Sequence, residues 1–337
     1  MQFFSTLMAT GLFATAVVAH PGPHPEPESH DLAKRNTLAR RCAGSVAAMN
    51  EKRYNKRNFE NRRSLEARAN YTDFVNTETP YYDVIQNDTC VLTPSVTQGP
   101  YVWPRSQTLR QDMTEGQNGI PFTLDVGVLD MATCEPLEDV LVDFWHCNAT
   151  GKYSSFTGRS ADTPFNELLD SLNLTETYDL GVTDLHTDDT TFLRGMWPTN
   201  SEGMMEMQTI YPGFYVGRAI HIHAQVHTNW TLAENGTIAS GNTVSTGQLY
   251  MPEETNVELM ALEPYASHTA INRTTNAEDD IIYQSEDNGY SPIISLVPAD
   301  GVDMANGVIG YITIGVDTTA IELCDAGGAA GGERTYC

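Results

Sequence analysis

From Ala69 onward the chain is a succession of short segments broken by Gly, Pro, Asn and Asp, with no strand–helix–strand rhythm and no long-period repeat. Val140–His146 is a mostly apolar run of strand length, and Met205–Ile210, Ala219–Val226 and Val308–Ile314 alternate in part between apolar and polar residues. Phe165–Leu174 reads as a short helix inside a loop. This pattern predicts a mainly β protein, an antiparallel β-sandwich with long loops over residues 69–326. Hydrophobic residues make up 40% of the 337, enough to fill such a core.

The segments before the body read differently. Residues 1–19 are apolar, end in the small residues Val17-Val18-Ala19, and run at once into a Pro/His/Glu-rich stretch that cannot continue a packed helix. This is the pattern of a signal peptide cleaved after Ala19. Residues 20–41 carry the dibasic pairs Lys34-Arg35 and Arg40-Arg41 and fit a pro-segment or a solvated linker. Residues 42–68 read as a charged N-terminal helix with one apolar edge, formed by Ala43, Val46, Ala47 and Met49. Such an arm needs a partner surface on the body of the chain or on a second copy, so residues 42–68 are a candidate homodimer contact. The tail, 327–337, is rich in small residues and reads as flexible.

Charge and cysteine content narrow the function classes. With 44 acidic and 19 basic side chains the formal charge is −25, and 11 of the 19 basic residues fall between Lys34 and Arg68. The body is therefore strongly acidic, which excludes nucleic acid as a partner. No other apolar run approaches the ~20 residues of a membrane span, so no membrane contact is expected after signal cleavage. Seven N-x-Ser/Thr sequons (Asn70, Asn87, Asn148, Asn173, Asn229, Asn235, Asn272) and an even six cysteines point to an extracellular, disulfide-bonded glycoprotein. The cysteines lack any C-x-x-C, which argues against a zinc ribbon, and their 15 possible pairings stay open.

The chemistry is concentrated between Ile210 and His223. On a strand, residues two apart share a face, so His221 and His223 would project together and could meet one metal ion. Spacing alone leaves two satisfied structural histidines as an equal alternative. Pro212-Gly213 favours a turn that swings Tyr215 back toward this pair, and Arg218 adds a fixed positive charge. Upstream, Trp145-His146-Cys147-Asn148-Ala149-Thr150-Gly151-Lys152-Tyr153-Ser154 sets a second tyrosine just past a glycine turn.

Three blocks in order resemble the intradiol ring-cleavage dioxygenases, the non-haem ferric enzymes that include the catechol and protocatechuate dioxygenases, with the secreted fungal branch closest. They are Leu92–Tyr101 (LTPSVTQGPY), the W-x-x-x-x-x-G-x-Y-S run ending at Ser154, and Arg194-Gly195 followed by the P-G-x-Y-x-G-R-x-x-H-I-H run from Pro212 to His223. The likeness spans about residues 90–320. It implies that Tyr153, Tyr215, His221 and His223 bind one Fe(III) per chain, with Tyr215 the ligand a bound diol displaces. It further implies that Arg218 stabilises negative charge on the ring and that Gln248 lies near the oxygen site. Gln248 also reads as a turn-stabilising amide. The expected substrates are a small aromatic diol and O₂, and the expected product is a muconate-type diacid. The donor chemistry agrees, since phenolate oxygens are hard, anionic ligands suited to a trivalent ion. The rival readings are a secreted sandwich that binds phenols or a metal without turnover, and a zinc or copper site on the histidine pair alone. His146, His186, His227 and His268 are expected to be structural. The stretch 173–189 reads as an insertion near the pocket.

Overall fold

The computed structural model describes residues 41–53, 96–103, 106–180, 182–234, 238–285 and 291–319. The expected signal peptide, most of the pro-segment, the second half of the arm and the tail lie outside the described residues. So do the sequons at Asn70, Asn87 and Asn235, and Cys90, Cys324 and Cys337.

Among the described residues eight strands form the body: β1 (Pro121–Asp130), β2 (Leu141–Trp145), β3 (Arg194–Pro198), β4 (Met204–Ile210), β5 (His221–Leu232), β6 (Ile238–Tyr250), β7 (Ser295–Pro298) and β8 (Val308–Val316). They make two four-stranded sheets, ordered β4-β1-β8-β7 and β3-β2-β5-β6. The inner faces meet in one core. Phe122, Leu124, Val126 and Val128 of β1 pack there with Val142 and Phe144 of β2, Ile222 and Val226 of β5, and Ile312 and Ile314 of β8. Period-2 alternation sends these residues inward, and each full burial contributes roughly 1.5–3 kcal/mol. The chain is a β-sandwich, as its segmentation predicts. One pairing departs from the antiparallel expectation, because β1 and β8 run parallel. A parallel pair needs a long crossover, and here the entire second sheet lies between the two strands.

Three helices punctuate the loops: α2 (Phe165–Ser171), α3 (Glu253–Met260) and α4 (Asp280–Ser285). The first of them falls within the stretch 165–174 expected to be helical. Ahead of the sandwich, residues 41–53 form helix α1. Cys42 is disulfide-bonded to Cys134, just past β1, and Arg53 forms a buried ion pair with Asp125 at 3.3 Å. Gly127 leaves the space that Met49 and the Arg53 guanidinium fill, where a Cβ would collide with both. Asp125 and Gly127 alternate with the core residues of β1, so α1 covers the outer face of the first sheet. Of the two partner surfaces considered for the arm, its described turns use the body of their own chain.

Candidate functional site

The site lies on the outer face of the second sheet. In β5, Ile222, Ala224 and Val226 enter the core, so His221 and His223 turn the other way and are covered by loops, with 2% and 3% of their surface exposed. Register then sets a row across the sheet. Trp145 of β2 and Gln248 of β6 flank His223, Arg194 of β3 lies beyond Trp145, and Tyr250 lies opposite His221. The Trp145 and His223 rings stack at 4.9 Å and 3°, and the Arg194 guanidinium sits 4.9 Å over the indole. Arg194 is itself held by Asp143 at 3.0 Å.

Two loops bring tyrosines to the histidines. After β2 the chain turns on Asn148, whose Oδ1 accepts the backbone N–H groups of Thr150 (3.1 Å) and Lys152 (3.0 Å). The loop between β4 and β5 passes directly against this turn. A Cβ on Gly213 would collide with the Asn148 carbonyl oxygen and the Ala149 carbonyl, and one on Gly151, at φ 80°, with the Phe214 carbonyl oxygen. The two glycines thus allow the loops carrying Tyr153 and Tyr215 to lie together. The Tyr153 hydroxyl reaches His223 Nε2 at 3.1 Å, the Tyr215 hydroxyl reaches His221 Nε2 at 3.3 Å, and the two Nε2 atoms are 3.1 Å apart. Tyr153, Tyr215, His221 and His223, four positions singled out in the sequence, therefore converge in one buried cluster.

This cluster fits a bound cation. The Nδ1–H of His221 donates to the Ala219 carbonyl at 2.7 Å, so its Nε2 presents a lone pair toward His223. Nδ1 of His223 is buried without a hydrogen-bond partner. Two imidazole nitrogens this close need either a proton shared in an N–H···N hydrogen bond or a cation held between them. Donors held about 2.1 Å from one ion at near-right angles stand roughly 3 Å apart, as these do. Burial raises the Tyr153 phenol well above the usual range and pushes Tyr215 up to about 12, the latter opposed by Arg218. Burial, reinforced by His221 and Arg218, holds His223 far below its ordinary value. The pocket by itself thus keeps both phenols protonated and His223 neutral, and a multivalent cation would reverse the first of these. Among the described residues no group of three or more His, Cys, Asp or Glu could hold a metal. The candidate set is mixed, two imidazoles with two phenols.

Arg218 is buried beside the cluster. Its Nε donates to Asp279 Oδ2 at 2.8 Å, and one terminal nitrogen donates to Tyr250 Oη at 2.8 Å and to Gln248 Oε1. Tyr250 also donates to Gln248 Oε1, and Gln248 Nε2 donates to the Thr97 carbonyl at 3.2 Å. Gln248 lies within β6, not in a turn, so the turn-amide alternative is replaced by a strand position facing the site. In front of the tyrosines opens a cleft lined by Tyr101, Phe156, Phe165, Lys152 and Arg159. Tyr101 forms one wall, stacked on Tyr153 at 5.2 Å and 23°.

The other histidines have their own partners. His146 bonds the Cys147 carbonyl and Thr209, and burial lowers it to about 4. His227 bonds Thr243, His186 bonds Asp184 and stacks on Trp103, and His268 pairs with Asp162. Cys147 is a buried thiol without a disulfide among the described residues. From the 173–189 stretch, Tyr178 packs on Phe165 of the cleft wall at 5.2 Å.

Asp279 and Tyr250 were not singled out in the sequence. Tyr250 follows Gln248 by two in a strand, the same spacing that pairs the histidines, and could have been read so. Asp279 caps α4, accepting the N–H groups of Ile281 and Ile282. The local signal in Asp279-Asp280-Ile281-Ile282 is a helix start, with no sign of an arginine 61 positions away.

No protein-family model and no curated protein sequence matches the chain significantly. Solved structures do. An intradiol ring-cleavage dioxygenase from Tetranychus urticae is 25% identical, with a TM-score of 0.54 over 69% of this chain and 98% of its own. A second dioxygenase structure is 24% identical, with a TM-score of 0.53 over 69% and 98%. The sandwich thus has the fold of these enzymes, and its structural neighbours are intradiol ring-cleavage dioxygenases.

Proposed function

We propose that this protein is a secreted non-haem Fe(III) intradiol dioxygenase that opens a catechol-type ring between its two hydroxyls with O₂, giving a muconate-type diacid. The observation that carries this reading is the chain of contacts from Tyr153 to His223 to His221 to Tyr215, at 3.1, 3.1 and 3.3 Å, beside Arg218. The likeness to a dioxygenase fold supports it. Bound there, ferric iron would supply the Lewis acidity and electron-accepting character that make a chelated diol reactive toward O₂.

The chain's own residues complete the site. Tyr153 and the two histidines would hold the ion, with His223 fixed by its stack on Trp145. Tyr215, the position that the resemblance matches to the displaced ligand, would take a proton from the incoming diol. Arg218, aimed by Asp279, sets a buried positive charge where the ring becomes anionic, and such preorganised charge is worth most in a site without water. Tyr101 and Phe156 provide flat walls for an aromatic ring.

Secretion belongs to the same reading. It is supported by the residue pattern of 1–19, the sequons, and the Cys42–Cys134 disulfide, a bond that persists in oxidising compartments. The test is a visible spectrum of purified protein before and after anaerobic catechol, followed by oxygen uptake with catechol, hydroxyquinol and pyrogallol. Phenolate-to-iron charge transfer gives a red-purple colour that shifts on binding. A colourless, iron-free protein that consumes no oxygen after ferric loading would leave the phenol-binding module instead.

A further inference from the structure

His221 and His223 point into the same cluster but are held by different means. The Nδ1–H of His221 is fixed on the Ala219 carbonyl at 2.7 Å, the kind of anchor that sets the plane and tautomer of a metal-binding imidazole. His223 has no such anchor. Among the described residues its Nδ1 is buried without a hydrogen-bond partner. A flat face sets its plane instead: the Trp145 indole lies over the imidazole, with centroids 4.9 Å apart and planes within 3°.

This contact is a product of register. Arg194, Trp145 and His223 are direct cross-strand partners on β3, β2 and β5. Adjacent strands stand about 4.8 Å apart, so flat groups at one level of a sheet stack at that spacing. The Arg194 guanidinium accordingly sits 4.9 Å over the indole, and strand order puts it on the side away from His223. Arg194 is held in turn by Asp143 Oδ2 at 3.0 Å, and the same oxygen accepts Gln107 Nε2 at 3.0 Å. All five side chains are buried. Arginine suits this place, because its planar, weakly hydrated head can stack on a ring while it stays tied to a carboxylate.

We propose that Arg194 is a positioning residue for His223: anchored by Asp143 and Gln107, it clamps Trp145 so that the indole fixes the imidazole plane in place of a hydrogen bond at Nδ1. The proposal rests on the dioxygenase reading in one respect, that the atom so aimed is a nitrogen meant to hold the ion. Arg194, Trp145 and Asp143 do not line the cleft, so the column acts on the ligand and not on a substrate. Loss of such outer support lowers metal affinity about 10- to 100-fold in other centres.

The experiment is proton–carbon NMR of the full-length protein with histidine labelled at Cε1, recorded before and after addition of gallium(III), a diamagnetic trivalent ion. The His223 signal is identified by its loss in His223→Gln. In the native protein it should lie upfield of the other histidines, because its ring faces the indole. Arg194→Met alone would strand Asp143, so the test variant is Arg194→Met/Asp143→Asn, which removes both charges and leaves Gln107 an acceptor. There the His223 signal should move toward the other histidines, and ferric affinity, measured by competition with a chelator, should fall about 10- to 100-fold. Trp145→Leu should do the same, while Trp145→Phe keeps a flat face and should retain most of the affinity. The control is Arg53→Met/Asp125→Asn, which removes the buried ion pair of the other sheet and should leave both readouts native. An unmoved His223 signal in the folded test variant, an unchanged ferric affinity, or an equal effect from the control pair overturns the proposal. A native protein that takes up neither gallium nor ferric ion sinks the dioxygenase reading, and the His223 signal alone then decides for or against the clamp.

Discussion

Arg218 and Asp279 form a buried ion pair, Nε to Oδ2 at 2.8 Å, in which the carboxylate also accepts the backbone N–H of Ala219 at 2.7 Å. One side chain thus fixes both the guanidinium and the start of the strand that carries His221 and His223. Removing one partner of such a pair strands the other charge. Asp279→Ala should lower unfolding free energy by about 3–5 kcal/mol in urea titrations. Asp279→Asn keeps the size and one acceptor, and should cost less.

The same pair gives a pH dependence with a defined sign. Burial raises the Asp279 carboxyl, but Arg218 and the backbone donors outweigh it and hold the group below its usual value. Its contribution is therefore complete above an unfolded value of about 3.9 and is lost as pH falls through the lower folded value. The stability gap between native protein and Asp279→Asn should be constant near neutrality and narrow under acid, starting below about pH 4. A gap that widens with acid would contradict the pairing.

Tyr215→Phe removes an oxygen donor and a proton acceptor while leaving the ring packed against His221 at 5.7 Å. The charge-transfer band of the ferric protein should move and weaken, and kcat should fall on the order of 100-fold. Circular dichroism should be unchanged. A native spectrum in this variant would show that the phenol is only packed.

Gly213 touches no candidate ligand, yet its replacement should disturb the centre. A methyl group there meets backbone of Asn148 and Ala149, which cannot step aside like a flexible side chain. Gly213→Ala should cost about 1–3 kcal/mol and reduce iron retained per chain, measured by metal analysis after dialysis. Full iron content at native stability would mean that the two loops do not need their close approach.

Cys42→Ser should act on stability alone. The disulfide spans 92 residues of sequence and clamps α1 to the end of β1. Its loss should cost about 2–5 kcal/mol, read as a lower Tm that dithiothreitol reproduces in the native protein. The colour of the ferric protein should not change.

How much of this was legible in the sequence depends on the distance over which the information is encoded. The strand at 140–146 shows as an apolar run and those at 205–210, 219–226 and 308–314 in partial alternation, which also gives the shared face of His221 and His223. Tyr215 follows from a Pro-Gly turn. Pairing between remote segments leaves no such trace. Nothing near Pro121–Asp130 announces that it runs parallel to Val308–Val316, and nothing near Asp279 announces Arg218.

The strap made by α1, with Cys42 at one end and Arg53 at the other, lies on the wall of the sandwich turned away from the tyrosines. A coupling group attached on the exposed side of α1, at Ala47 for example, would consequently hold the molecule by the face opposite the tyrosine cleft and leave that cleft open to solution.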